Sequence, residues 1–159
     1  MKIKVGFGFD VHQLVEGREL WLGGIKIEHH KGALGHSDAD VLIHAICDAL
    51  LGAASMRDIG FHFSNKDPKW AGIDSKILLK QVCEMIRAEG WEISNIDASL
   101  TLESPKINPH IEKMKKILSE VMHLEPEDIS IKATTNEQMG YVGREEGVNA
   151  YAVALIMKT

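Results

Sequence analysis

Asp10 and His12 stand two residues apart in the stretch "GFDVH". In an extended chain, residues i and i+2 project from one face. The pair therefore aims a carboxylate and an imidazole the same way, a donor combination suited to a divalent cation. A D-x-H pair alone equally describes two surface polar groups. Asp40, His44 and Asp48 are spaced by four in "HSDADVLIHAICDALLGAA", so they share one face of a helix. That face is either a solvated stripe or, because Leu42, Ile43, Ala45 and Ile46 surround His44, the source of an imidazole that completes an Asp, His, His set. Three protein ligands with an open position are the pattern of a catalytic zinc, whereas a structural zinc takes four and favours Cys. Cys47 and Cys83 form no CxxC and read as reduced core thiols in a cytoplasmic protein.

A further cluster lies in "KATTNEQMGYVGREEG" (132–147). Thr134, Thr135, Asn136 and Glu137 follow a strand. Their hydroxyls and carboxylate suit a phosphate and a hard cation such as Mg²⁺, and they equally suit a Thr-rich turn. Arg144, one of four arginines, sits in a glycine-flanked loop, as an anion ligand or as half of a surface salt bridge.

The elements that carry these residues can be read from periodicity. Ile3, Val5, Phe7 and Phe9 alternate with Lys and Gly, which predicts a strand over 2–9 with one buried face. "ELWLGGIKIE" (19–28) predicts a hairpin around Gly23 and Gly24. Ser37 with Asp40 resembles a capping box for a helix running to about Ala54. Residues 57–72 read as a loop, and 75–89 as an amphipathic helix stopped by Gly90. "NIDASLTLES" predicts a half-buried strand. Asn108 is expected to cap a helix reaching about His123, with Pro109 in its first turn. Residues 129–135 and 149–157 read as strands, the last apolar on both faces. The 159 residues are 45 % apolar and carry a formal charge of −5. That is one globular domain over 1–159, long enough to bury about 70 % of its unfolded surface. No basic block calls for a nucleic acid, and no apolar run spans a membrane. The fold class expected is α+β, a mixed β-sheet with helices packed on one face.

"GFDVH", "HSDADVLIHAICDALLGAA", "DIGFHF", "SPK" and "KATTNE" occur in an order that resembles the 2-C-methyl-D-erythritol 2,4-cyclodiphosphate synthase family over nearly the whole chain. The resemblance implies conversion of 4-diphosphocytidyl-2-C-methyl-D-erythritol 2-phosphate to the cyclic diphosphate and CMP, in the non-mevalonate route to isoprenoid precursors. It implies Zn²⁺ on Asp10, His12 and His44, and Mg²⁺ or Mn²⁺ on Glu137 and the substrate diphosphate. His36 and Thr135 match residues that stabilise the transition state. Ser37 accompanies His36 at a helix start, where N–H groups favour a phosphate. Asp58, Ile59 and Gly60 match a segment holding sugar and polyol hydroxyls, and the loop Phe63, Ser64, Asn65, Lys66, Asp67 follows it. Residues 102–108, around Pro105 and Lys106, match the cytosine segment, closed by Ala133, Thr134 and Thr135, and Asn136 joins the residues expected to bind substrate. The family implies a homotrimer with active sites shared between subunits. Tyr141 and Arg144 match a central cavity that holds an isoprenoid diphosphate in some members. The expected location is the bacterial-type cytoplasm, or a plastid for a chain that has lost a transit peptide.

Two departures stand out. Asn65 lies in a loop that often reads F-P-D-x-D, and Glu145 replaces a common Gly, which is expected to weaken anion binding beside Arg144. Asp40 also reads as a simple cap of its helix, and Asp48 is a candidate hydrogen-bond partner of a ligand histidine. His29, His30, His62, His110 and His123 read as turn, loop or first-turn residues, and Trp21, Trp70 and Trp91 as packing groups. Two other readings compete: a zinc phosphohydrolase acting on nucleotides, and a non-catalytic diphosphate-binding module.

Overall fold

The computed structural model describes residues 1–159. Strand β1 (Lys2–Glu16) is followed by the hairpin β2 (Leu20–Leu22) and β3 (Ile25–Ile27), the short strand β4 (Lys31–Ala33) and helix α1 (Val41–Ala53). A single turn, α2 (Ile59–His62), precedes α3 (Ser75–Ala88). Then come β5 (Glu92–Thr101), α4 (Ile111–Met122), β6 (Ile129–Thr134), the turn α5 (Gly140–Gly143) and β7 (Gly147–Lys158). Five strands form one sheet in the order β4-β1-β7-β5-β6. β5 and β6 are parallel, while β7 runs antiparallel to both β1 and β5, so the sheet is mixed. A continuous cluster of 40 buried residues joins the sheet to α1, α3 and α4. No helix is long and apolar enough to cross a membrane.

β1 keeps its expected alternation but buries the other face. Ile3, Val5, Phe7 and Phe9 are exposed at 53 %, 64 %, 63 % and 42 %, while Gly6 and Gly8 are buried. The reason is the closeness of α1. A Cβ on Gly6 would lie 1.9 Å from the Ala49 carbonyl oxygen, and one on Gly8 would lie 1.9 Å from that of Ala45. Only hydrogen fits, so the helix backbone rests on the strand backbone. The apolar side chains of β1 point to the opposite face, where Tyr151 and Val153 of β7 join them in the open. β1 also extends past residue 9, so Asp10 and His12 sit inside the strand, paired with Ala150 and Val148.

Several local expectations change for identifiable reasons. Of the two cap readings, the capping box at Ser37 gives way to Asp40 as the N-cap of α1; its Oδ1 accepts the Ile43 N–H at 3.1 Å. The same carboxylate also accepts the Gly23 N–H at 3.0 Å and the Gly24 N–H at 2.8 Å, and so ties the β2–β3 hairpin to the helix start. It is fully buried. Asn108 caps nothing with its side chain, because a 3₁₀ turn (Asn108–His110) intervenes before α4. The expected loop over 57–72 contains α2 and a 3₁₀ turn at Pro68–Trp70, capped by Asp58 and Asp67. Cys47 and Cys83 are buried free thiols, as the sequence indicates; burial pushes Cys83 up to about 12 and Cys47 well above its ordinary value.

Candidate functional site

Gly8 lets α1 lie close enough for His44 to meet the same face of β1 as Asp10 and His12. The three donor atoms converge. Asp10 Oδ2 is 2.9 Å from His12 Nε2 and 3.1 Å from His44 Nδ1, and the two ring nitrogens are 3.2 Å apart. Two ligands about 2.05 Å from a tetrahedral ion are about 3.3 Å apart, so this triangle fits one ion with little adjustment. No other group of three or more His, Cys, Asp or Glu side chains converges in this way. His44 is 6 % exposed, which removes the solvated-stripe reading of its helix face.

The outer nitrogens are also engaged. His12 Nδ1 lies 3.0 Å from the Leu34 carbonyl oxygen, and His44 Nε2 lies 2.9 Å from Ser75 Oγ and 3.2 Å from Ser37 Oγ. Histidine ligands ordinarily donate their second N–H outward in this manner. The donor set and its surroundings therefore fit a zinc ion. Burial would raise the Asp10 carboxyl, but in the metal-free site hydrogen bonds and charge from His12 and His44 in their protonated forms outweigh it and hold Asp10 at about 2. Burial would lower His44, but the Asp10 carboxylate outweighs it and raises the imidazole. Asp48 is not a partner of either histidine. Its Oδ1 accepts the Ile59 N–H at 2.8 Å, and burial pushes it up to about 6.

These side chains open into a cavity of about 370 Å³ that His36, Ser37, Ile59, Gly60, Phe63 and Asn65 also line. His36 is exposed, with Nε2 3.4 Å from the Asp67 carbonyl oxygen. Trp70, set edge-on to Phe63 at 5.0 Å, forms part of the wall. Asp58 is exposed and is not among the lining residues; it caps α2, accepting the Phe61 N–H at 2.9 Å. Ser64, Lys66 and Asp67 are exposed on the following loop.

A second cavity of about 380 Å³ lies elsewhere, lined by Pro105, Lys106, Ala133, Thr134 and Thr135 together with Leu102, Glu103 and Asn108. It shares no lining residue with the first. Pairing register runs Asp10 to Ala150 to Leu100 to Ala133, three strand spacings or roughly 14 Å across the sheet. One chain therefore does not bring Thr135 to His36. Glu137 is exposed in the loop after β6, in the left-handed region at φ 52, with no carboxylate or imidazole gathered around it as a second cation site. Glu103 lies in the 102–108 segment expected to hold cytosine, and its contacts to the next loop were not legible in the sequence. Its Oε2 accepts the Asn136 N–H at 2.9 Å and its Oε1 the Gln138 N–H at 3.0 Å, so it shapes the 135–138 loop. Tyr141 donates its hydroxyl to Asn149 Oδ1 at 2.6 Å, and Arg144 is held by Glu146 through Nε and Nη2 at 2.9 and 3.3 Å.

The chain is 75 % identical over 158 residues to the 2-C-methyl-D-erythritol 2,4-cyclodiphosphate synthase of Cytophaga hutchinsonii, covering 99 % of both. It matches a solved 2C-methyl-D-erythritol-2,4-cyclodiphosphate synthase in its CDP-bound form with a TM-score of 0.90 at 37 % identity, over 97 % of this chain and 100 % of that one. It also matches the bifunctional IspDF of Campylobacter jejuni with a TM-score of 0.95 at 37 % identity, over 99 % of this chain; it spans 43 % of that longer protein. A model described as the YgbB family covers residues 3–157, from the first residues of β1 to the last of β7, and the chain belongs to that family.

Proposed function

We infer that the chain converts 4-diphosphocytidyl-2-C-methyl-D-erythritol 2-phosphate to 2-C-methyl-D-erythritol 2,4-cyclodiphosphate and CMP, a lyase step of non-mevalonate isoprenoid synthesis. The observation that carries this reading is the Asp10, His12, His44 triangle in a chain 75 % identical to a synthase of that name. The reaction is internal. An oxygen of the 2-phosphate forms a bond to the β-phosphorus, the bond from that phosphorus to the α-phosphate oxygen breaks, and CMP leaves with the electron pair. No water or external nucleophile is consumed, so the protein contributes position and charge. Zn²⁺ bound by Asp10, His12 and His44 supplies Lewis-acid charge to a diphosphate oxygen.

The residues of the first cavity take the erythritol and phosphate end. His36 and Ser37 donate toward the phosphates, and Asp58, Ile59 and Gly60 hold the polyol. Phe63, Ser64, Asn65, Lys66 and Asp67 border that end, and the uncharged Asn65 contributes hydrogen bonds alone. Pro105, Lys106 and Ala133 to Asn136 take the cytosine, Thr135 steadies the transferring diphosphate, and Glu137 holds Mg²⁺ or Mn²⁺ with it.

Because the two cavities stand apart on one chain, we place each complete site between two copies in a homotrimer, each copy a single domain over 1–159. The uncovered face of Ile3, Val5, Phe7, Phe9, Tyr151 and Val153 supports that assembly: an apolar patch this continuous marks an interface. Tyr141 and Arg144 then border a central cavity. The location proposed is the cytoplasm. Incubation with the cytidyl substrate, Zn²⁺ and Mg²⁺ followed by phosphorus NMR tests the reading. Cyclic diphosphate with CMP is expected, linear hydrolysis products would make the protein a phosphohydrolase, and no turnover would make it a binding module.

A further inference from the structure

The outer nitrogen of His44 leads into polar atoms that the metal triangle does not use. His44 Nε2 lies 2.9 Å from Ser75 Oγ, and Ser75 Oγ lies 2.5 Å from Asp38 Oδ1. The same carboxylate accepts the Ser75 N–H on Oδ2 at 2.9 Å and the Asp40 N–H on Oδ1 at 3.1 Å. Ser75 is fully buried at the start of α3, and the Asp38 N–H is itself donated to the Ile73 carbonyl at 3.1 Å. The group is thus locked between the loop before α1 and the loop before α3.

The direction of each bond follows from the inventory of hydrogens. A carboxylate accepts and a hydroxyl has one hydrogen. The Ser75 hydrogen goes to Asp38, so the oxygen offers only lone pairs to His44. Nε2 must then carry the hydrogen, and in the neutral ring Nδ1 is left with its lone pair facing Asp10 Oδ2 and His12 Nε2. Ser37 Oγ, 3.2 Å from the same Nε2, accepts the Ala39 N–H at 3.1 Å and has no carboxylate to take its hydrogen, so it does not dictate direction.

We propose that Ser75 and Asp38 are positioning residues that hold the His44 ring as the Nε2–H tautomer, presenting Nδ1 to the cation. This rests on the metal reading of the Asp10, His12, His44 triangle. Neither residue belongs to the triangle or lines the cavity it opens into. They act through His44, and they set both its orientation and the nitrogen it offers. Outer hydrogen bonds of this kind are worth about 10–100-fold in metal affinity.

The test uses the full chain, stripped of metal, with Zn²⁺ affinity read by competition with a chromogenic chelator. Ser75→Ala and Asp38→Asn are each expected to weaken Zn²⁺ binding by about 10–100-fold. Asparagine keeps the shape of aspartate but brings an N–H that can turn the Ser75 hydroxyl around. In alkaline buffer, where the imidazole is neutral, a long-range proton–nitrogen spectrum is expected to show His44 with its hydrogen on Nε2 in the wild type and a mixture in both variants. Unchanged zinc affinity in the folded variants, or a wild-type hydrogen on Nδ1, overturns the proposal. If Ser75→Ala does not fold, Asp38→Asn and the wild-type spectrum still decide it. A wild type that binds no zinc refutes the metal reading, and the spectrum decides the tautomer separately.

Discussion

Replacing Gly8 with alanine attacks the contact that builds the metal triangle without touching any ligand. A Cβ there would sit 1.9 Å from the Ala45 carbonyl oxygen, 2.7 Å from the Ala49 nitrogen and 2.9 Å from the Ala45 carbonyl carbon. Ordinary contact is about 3.5 Å, so the α1 backbone must retreat by roughly 1.5 Å. His44 precedes Ala45 and moves with it. Its Nδ1, now 3.1 Å from Asp10 Oδ2, would withdraw to as much as roughly 4.5 Å. An ion with bonds of about 2.1 Å spans at most about 4.2 Å between two ligands, even when they lie on opposite sides of it. The tetrahedral site is lost in Gly8→Ala, whereas the packing cost is only about 1–3 kcal/mol, a fraction of ordinary domain stability. Zinc affinity is expected to fall by more than about 100-fold, beyond what loss of an outer hydrogen bond costs. Chelator competition measures the affinity, and urea unfolding of the metal-free protein measures the stability. A folded Gly8→Ala protein with wild-type zinc affinity would refute the claim that the bare strand positions His44.

Sites shared between copies predict complementation. His36→Ala and Thr135→Ala proteins, each inactive alone, should recover about one quarter of wild-type turnover when refolded together one to one, since a quarter of the interfaces in a closed ring pair two intact halves; no recovery would place each site within one chain. Asp48→Asn keeps an acceptor for the Ile59 N–H and removes the cost of ionising a buried carboxyl. Asp48 lies at about 6 in the fold against an ordinary 3.8, so the folded state binds the extra proton between those values and stability falls as pH rises through that window. At neutral pH the variant should be more stable by about 1 kcal/mol after screening, with the gain vanishing below the ordinary value; a pH-independent difference in urea midpoint would contradict this. Arg144 is already engaged by Glu146, and Glu145 adds a carboxylate beside it, so isoprenoid diphosphates should be poorly retained by the purified protein. Native mass spectrometry reads this directly, and robust co-purification would show that the pairing yields to the ligand.

The triangle was legible in the sequence because its parts are local patterns: two ligands at strand spacing, and one imidazole on an apolar helix. The face that β1 buries was not, since a glycine carries no hydrophobic signal and Gly6 and Gly8 matter through the atoms they lack. Phe7 and Phe9 announce burial, but what covers them is absent from a single chain. Asp40, His44 and Asp48 share a spacing but do three jobs: one caps a helix and holds a hairpin, one faces the metal triangle, and one accepts the α2 N–H. The Asp38–Ser75 contact spans 37 positions, and no periodicity links an acidic loop residue to the first turn of another helix. Thr135 and Glu137 stand out by residue type. Their distance from His36 comes from the order of strands in the sheet, which pattern reading leaves open.

The most direct test is anomalous diffraction at the zinc edge from crystals grown with Zn²⁺. One strong peak is expected about 2.1 Å from Asp10 Oδ2, His12 Nε2 and His44 Nδ1, with the fourth position open to solvent or substrate. A peak elsewhere, or a fourth protein side chain closing that position, would contradict it.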